Sequence, residues 1–327
     1  MKMLSKALLV KREVIGEEHA GQRIDNFLLR ICKGVPKSHV YQILRSGQVR
    51  ANGKRIDPAY RLLLGDEIRI PPVRIAEPHS GAPGVPFGTL FPVVYEDDSL
   101  VAIDKPAGTA VHGGSGVSFG VIEQLRRQRP EARLLELAHR LDRETSGLLL
   151  IAKTRTALTA LHDMFRAGAM HKTYLTLVRG RWSNPLQHVK LPLTKYLTDE
   201  GERRVSVDRD GKPAHSIVHL LRRWETFSLL EVELKTGRTH QIRVHLAHLG
   251  FPLAGDDKYG DFGLNKDLAK AGLKRMFLHA ALLKLAHPVS RQPLVLSAPL
   301  PGDLSDFVAR LNLDQRVDFE ATDATPV

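Results

Sequence analysis

The stretch Ala138-His139-Arg140-Leu141-Asp142-Arg143-Glu144-Thr145-Ser146-Gly147-Leu148-Leu149-Leu150 decides how the rest of the chain is read. One carboxylate, Asp142, stands between Arg140 and Arg143, and an apolar run begins at Leu148. A carboxylate beside a segment that reads as buried costs free energy unless a partner or a reaction uses it. Two readings fit the pattern equally: a turn entering a strand, with Asp142 as cap or ion-pair partner, or a catalytic carboxylate. The remaining sequence has to separate them.

With 327 residues the chain can bury a sizeable core, and two domains are expected. Charged residues make up 26% and hydrophobic ones 43%, the balance of a globular protein. The formal net charge of +12 favours a polyanionic partner, nucleic acid ahead of anionic membrane. Residues 1–75 hold 15 Lys and Arg against 7 Asp and Glu, so most of the surplus sits in the first quarter. Cys32 is the single cysteine, which excludes an internal disulfide and a thiolate zinc cluster. No apolar run approaches the roughly 18 residues of a membrane span, and residues 1–10 do not read as a signal peptide. A cytoplasmic location is expected by elimination.

In the first quarter, Ile24, Phe27, Leu28 and Ile31 share one helical face. Gly34-Val35-Pro36 breaks that helix, and a second one places Val40, Ile43 and Leu44 together before a stop at Gly47. Val49-Arg50-Ala51-Asn52-Gly53-Lys54-Arg55-Ile56 reads as a hairpin with an Asn-Gly turn, and a further strand signal follows between Leu62 and Ile70. Arg23, Lys33, Lys37, His39, Arg45, Arg50, Lys54 and Arg55 fall on the helix ends and the hairpin, where they can neutralise phosphates without reading sequence. The run from Val35-Pro36-Lys37-Ser38 through Tyr41-Gln42-Ile43-Leu44-Arg45-Ser46-Gly47 to Asn52-Gly53-Lys54-Arg55 resembles the small RNA-binding domain first seen in ribosomal protein S-four.

Pro71-Pro72 closes this module, and residues 76–92 have the Pro/Gly composition of a linker. Val93–Asp98 and Leu100–Asp104 read as strands around an acidic turn. Val111-His112-Gly113-Gly114-Ser115-Gly116 is a glycine loop that fits neither nucleotide-phosphate motif, so a substrate-side loop and a plain turn stay open. A helix is expected over 117–129, a strand over 148–152, an amphipathic helix over 156–167 and a strand over 171–178 that carries Tyr174. After a strand at 228–234, the stretch following Thr239, if helical, puts His240, Arg243 and Ala247 on one face, with Gly250 as its stop. His240, His245 and His248 are spread round that helix with no completing carboxylate or thiolate, so no metal site is expected. Asp256–Gly260 reads as a turn in an acidic patch, Phe277–Ala281 opens a final strand region, and 311–327 is expected to be a flexible tail.

His139-Arg140-Leu141-Asp142-Arg143-Glu144-Thr145-Ser146-Gly147, Lys172-Thr173-Tyr174 and Gly237-Arg238-Thr239-His240-Gln241-Ile242-Arg243-Val244-His245 together resemble the three signature motifs of the RluA/RluC/RluD family of pseudouridine synthases, in that family's order and spacing. The likeness spans roughly 12–310 and departs in the linker and the tails. Gly34–Ser38, the Val111–Gly116 loop, Ser118–Glu123 and Arg129–Arg133 resemble the members that act on large-subunit (23S) ribosomal RNA.

The resemblance implies an α+β protein: a small basic RNA-binding domain over 12–75, a linker over 76–92, and a mixed, largely antiparallel catalytic domain over 93–310. It implies isomerisation of uridine to pseudouridine in 23S rRNA, by a monomer with no cofactor, no membrane contact and no obligate protein partner. Asp142 would be the catalytic carboxylate, Arg243 its counter-ion, and Tyr174 the phenol stacked on the base. Arg140 would fill the gap left by the flipped nucleotide. Arg143, His112, Lys172, Arg238 and His240 would contact RNA, as would Arg23, Lys37, Arg45, Arg50, Lys54 and Arg55 of the first domain. The alternatives are a sister specificity for other 23S rRNA or tRNA uridines, and a non-catalytic rRNA-binding assembly factor.

Overall fold

The computed structural model describes residues 10–32, 35, 37–73, 90–113 and 120–314. Lys33, Gly34, Pro36, the side chain of Lys37, most of the 76–92 linker, residues 114–119 and residues 315–327 lie outside the described residues. Two compact units divide between Thr89 and Leu90.

The first unit contains β1 (Lys11–Val14), α1 (Ile24–Ile31), α2 (Lys37–Arg45), β2 (Arg50–Ala51), β3 (Lys54–Arg55) and β4 (Glu67–Ile70), with sheet order β1-β4-β2-β3. The helical periodicity is realised: Ile24, Phe27, Leu28, Val40, Ile43 and Leu44 bury into one core with Leu62, Ile68 and Ile70. Asn52 (φ 50°) and Gly53 (φ 76°) are both left-handed, as a tight hairpin whose twist matches its strands requires. Asn52 also donates to Asp66 at 2.7 Å and accepts from the Glu67 amide at 2.8 Å, locking the hairpin to β4.

The second unit runs β5 (Val93–Glu96), β6 (Leu100–Lys105), α3 (Val121–Gln128), β7 (Glu136–Leu137), β8 (Ser146–Ala152), α4 (Arg155–Ala167), β9 (His171–Arg179), β10 (Leu186–Val189), β11 (Leu193–Leu197), β12 (Arg203–Val207), β13 (Ser216–Arg223), β14 (Phe227–Leu234), α5 (Gln241–His248), α6 (Phe262–Lys270), β15 (Leu278–Ala286), β16 (Pro293–Ser297) and α7 (Gly302–Asp314). Its large sheet has the order β10-β13-β14-β9-β15-β8-β6-β5, with β16 added to β15 and β7 to β8. All pairings are antiparallel except β8 with β15, at the middle of the sheet. β11 and β12 form a separate hairpin.

Every residue of β8 is buried, which explains its unbroken apolar run. Leu148 and Leu150 pack with Leu158 and Leu161 of α4 on one face of the sheet. Leu149 and Ile151 pack with Val121, Ile122 and Leu125 of α3 on the other.

Four expectations are corrected. Ser146 and Gly147 are not a turn but the first residues of β8, because they pair with His279 and Ala280. The helix expected from 117 begins at Val121, after Gly120 in extended conformation. His240 precedes α5 instead of sharing its face, since its backbone is left-handed (φ 53°). The segment after Arg310 is helical through Asp314, and Leu311 is buried with Leu304 and Phe307 against Trp224 and Phe277.

Candidate active site

Asp142 lies in the loop joining β7 to β8, and three contacts fix that loop. The buried Lys105 at the end of β6 donates to the carbonyls of Pro106 (2.8 Å), Thr109 (2.9 Å) and Arg143 (3.1 Å), the last within the loop itself. His139 accepts the Leu150 amide at 3.0 Å through Nε2. Burial, together with the nearby Lys172 charge, pulls His139 down to about 4, so the imidazole is neutral and free to accept. The Thr145 amide closes a turn onto the Asp142 carbonyl at 3.2 Å. The loop then enters β8 at Gly147 (φ 107°), where a Cβ would stand 2.3 Å from the Ala280 carbonyl oxygen. Only glycine allows the two parallel strands to come this close.

Arg243 on α5 is 3% exposed and reaches Asp142 Oδ2 with Nη1 at 3.4 Å. Its other edge is bound two-pronged by Asp256, Nε and Nη2 each donating at 2.7 Å, and Asp257 accepts a further contact at 3.3 Å. The Tyr259 ring lies beneath the guanidinium, 5.1 Å from centroid to Cζ. Burial alone would lower the arginine, but the Asp256 carboxylate, then Asp142 and Asp257, hold it above its ordinary value. Asp256 is fully buried and lies below the usual carboxylate range. Burial opposes that shift, and the Arg243 bonds and the Lys258 and Tyr259 amides outweigh it. Asp256 is therefore the group that aims Arg243 at Asp142. The sequence reading saw it only as part of an acidic turn; the available signal was that a cation among the apolar residues of α5 needs a buried carboxylate.

Tyr174 stands on β9 at the centre of the sheet, opposite Val232 of β14 and Ala280 of β15. Burial, reinforced by the Asp142 charge, pushes its phenol well above the ordinary tyrosine range, so it keeps its proton. Asp142, Tyr174, Arg243, Arg140, Arg238 and His240 line one cleft with Leu234, Ile242 and Leu278 as its apolar wall. The cleft measures about 120 Å³. That is well under the roughly 300–1,000 Å³ that encloses a drug-sized ligand, and suits one flat ring. The chemistry within is a fixed carboxylate, a cation on one of its oxygens and a protonated phenol, with apolar surface for the ring.

The other expected residues are distributed as follows. His112, Arg143 and Lys258 line the open groove next to the cleft, which Asp142, His240 and Arg243 also border. Arg143 pairs with Glu144 at 2.8 Å and is not the partner of Asp142. Lys172 does not reach the cleft; its ammonium lies 5.9 Å from the Phe165 ring centroid. Arg23 is paired with the buried Asp25 at 2.7 Å, Arg45 lies over Tyr41, and Arg55 donates to the Arg45 carbonyl. Arg50 turns toward the Gly47 and Gly53 carbonyls, while Lys54 is exposed on the hairpin. No group of metal-ligand residues occurs among the described residues.

Comparison with known proteins bears on both units. The RNA pseudouridylate synthase family matches residues 99–248, and the S4 domain matches residues 22–68. Ribosomal large subunit pseudouridine synthase C of Salmonella typhimurium is 50% identical over 301 residues, covering 90% of this chain and 94% of the relative. The protein of that name from Escherichia coli K12 is 49% identical over 308 residues, covering 92% and 97%. Among solved structures, human RNA pseudouridylate synthase domain containing 4 superposes with a TM-score of 0.55 at 26% identity, covering 67% of this chain and 92% of that one. By motif, fold and relatives alike, this chain belongs to the RNA pseudouridine synthase family.

Proposed function

We propose that this chain isomerises specific uridines of large-subunit (23S) ribosomal RNA to pseudouridine, with Asp142 as the catalytic carboxylate. The reading rests above all on Asp142 standing 3.4 Å from a buried arginine, in a cleft sized for one ring that Tyr174 also lines. The ribosomal substrate is supported by relatives named for the ribosomal large subunit at about half identity over nearly their whole length.

The reaction breaks the C1′–N1 bond, turns the uracil and forms a C1′–C5 bond. C5 loses a proton and N1 gains one, so product and substrate have the same atoms and no cofactor is demanded. A carboxylate at the sugar can act as nucleophile or base, as it does in glycosidases. Attack at C6, attack at C1′ and proton removal at C2′ would all begin from Asp142. Tyr174 would pack against the base, and its retained proton makes it a donor, not a resting base. Arg140, exposed at the cleft mouth, would occupy the stack after the uridine flips. Arg143, His112, Arg238 and His240 would hold the flanking strand. Arg23, Lys37, Arg45, Arg50, Lys54 and Arg55 would give the first unit its grip on phosphates. Lys172, which is not among the residues lining the cleft, would act on RNA only beyond it. The chain is taken to work as a cytoplasmic monomer; no helix among the described residues is long and apolar enough to cross a membrane.

The test is tritium release from C5-labelled uridine in unmodified 23S rRNA, wild type against Asp142→Asn. Wild type should release label and the variant should not. Release by the variant would sink the mechanism, and silence of the wild type would favour a binder. Mapping pseudouridines in rRNA from cells lacking the protein identifies the target uridines.

A further inference from the structure

His240 has three properties that an RNA-contacting surface histidine does not need. Its backbone is left-handed (φ 53°), a conformation that is strained for a non-glycine residue and that clusters at functional sites. Its side chain is only 15% exposed and lines the cleft. It also ends a hydrogen-bonded chain: the Val205 amide of β12 donates to the Tyr259 hydroxyl at 2.9 Å, and that hydroxyl lies 2.8 Å from His240 Nδ1. The opposite nitrogen, Nε2, faces Asp142 Oδ1 at 3.8 Å.

The chain favours one tautomer. The Tyr259 oxygen accepts from Val205, and giving its proton to His240 Nδ1 pairs every group in the chain, with Nδ1 as acceptor and the hydrogen on Nε2. The other tautomer would leave the phenol proton unpaired and turn an Nε2 lone pair toward a carboxylate. The groups facing the ring are Asp142, Arg243, Lys258, Asp256 and Tyr259. Burial, aided by the Arg243 and Lys258 charges, lowers His240 despite Asp142 and Asp256, which keeps the ring neutral.

We infer that His240 is a positioning residue for Asp142: a neutral imidazole whose Nε2–H holds one carboxylate oxygen while Arg243 holds the other. A gap of 3.8 Å is one small side-chain adjustment from a hydrogen bond, the kind that closes when a substrate fills a site. Held at both oxygens, the carboxylate is fixed in the plane from which it meets the sugar or the base. The assignment rests on Asp142 being the reacting carboxylate and changes what His240 is for, from RNA contact to orientation of the reacting group.

Two substitutions separate the roles of the ring nitrogens. In His240→Asn the amide sits where Nδ1 was, keeping Tyr259 in reach and losing Asp142. In His240→Gln the amide extends to the Nε2 position and can still donate to Asp142. Single-turnover rates and half-saturating enzyme concentrations are measured on an rRNA fragment holding a mapped target, with Asp142→Asn alongside. His240→Asn should lower the maximal rate about 10- to 100-fold, the effect of one hydrogen bond to a charged group, with half-saturation nearly unchanged. His240→Gln should recover most of that loss. A wild-type rate in His240→Asn would overturn the inference, as would equal losses in both variants or a loss confined to half-saturation. Activity in Asp142→Asn would instead overturn the reading of the site itself, whatever the His240 variants do.

Discussion

At the scale of single residues, the site is governed by a buried cation with more carboxylate around it than one charge requires. Arg243 faces Asp142 on one edge and Asp256 on the other, and only the second contact has two-pronged geometry at 2.7 Å. Asp256 thus bears the structural load and leaves Asp142 the looser contact, as its proposed role as the reacting group would need. Asp256→Ala would strand a buried guanidinium, and truncating one partner of a buried pair costs about 3–5 kcal/mol. Urea unfolding should show that loss, with activity falling because Arg243 is no longer aimed. The pair also makes stability depend on acid. The folded-state value of Asp256 is depressed below the unfolded one near 3.9, so its contribution is complete above about pH 4 and disappears as pH falls through the folded value. Asp256→Asn should therefore lose less stability than wild type between pH 4 and pH 2, measured by thermal unfolding. Asp142, Tyr174 and Arg243 were legible in the sequence because each lies in a motif that carries a family resemblance. Asp256, Lys105 and Tyr259 were not: each acts through a contact made after folding, and locally they read as an acidic turn, the start of a Pro-Gly turn and a turn tyrosine.

At the scale of elements, the Asp142 loop is held by the one parallel pairing of the large sheet among the described residues. β8 meets β15 only at Ser146–His279 and Gly147–Ala280, directly after the Asp142 loop. Gly147→Ala would add a Cβ 2.3 Å from the Ala280 carbonyl at a φ of 107° that alanine resists. Strain and displaced pairing together should cost at least about 2 kcal/mol. A calorimetric scan should show a lower melting temperature, and any folded fraction should have a depressed rate, because the shift moves Asp142 relative to Tyr174 on β9. Lys105 ties the same loop from the β6 side. Burial, with the Arg275 charge, pulls its ammonium down to about 7, although three carbonyls call for all three of its protons. Lys105→Met removes those donors at once, leaving three part-buried acceptors, each of which costs about 1–3 kcal/mol where water cannot replace the ammonium. Denaturation should register the loss, and an unchanged midpoint would contradict the tether. The apolar run of β8 was legible because both its faces are covered. Its pairing with β15 was not, since a partner more than 130 positions away leaves no local period. α7 carries a helical signal in the spacing of Leu304, Phe307, Val308 and Leu311, diluted by the polar residues between them.

At the scale of the whole molecule, charge and chemistry are segregated along the chain. The first unit has its own buried core among the described residues. About +8 of the formal +12 lies within residues 1–75, while the carboxylate, the phenol and the buried arginine all lie beyond residue 90. Each phosphate neutralised releases counterions, so the slope of log affinity against log salt counts the phosphate contacts, at roughly 0.7–0.9 per contact. Removing residues 1–75 should therefore weaken rRNA binding and flatten that slope by several contacts. The rate at saturating enzyme should persist, since the residues that line the cleft all lie beyond residue 90. Filter binding across a salt series and single-turnover tritium release measure the two quantities on the same preparation, and a cooperative melt confirms that the remaining unit is folded. A slope unchanged by the truncation would mean that the second unit supplies the phosphate contacts. A rate lost at saturation would mean that the basic unit also delivers the uridine to the cleft, beyond adding affinity.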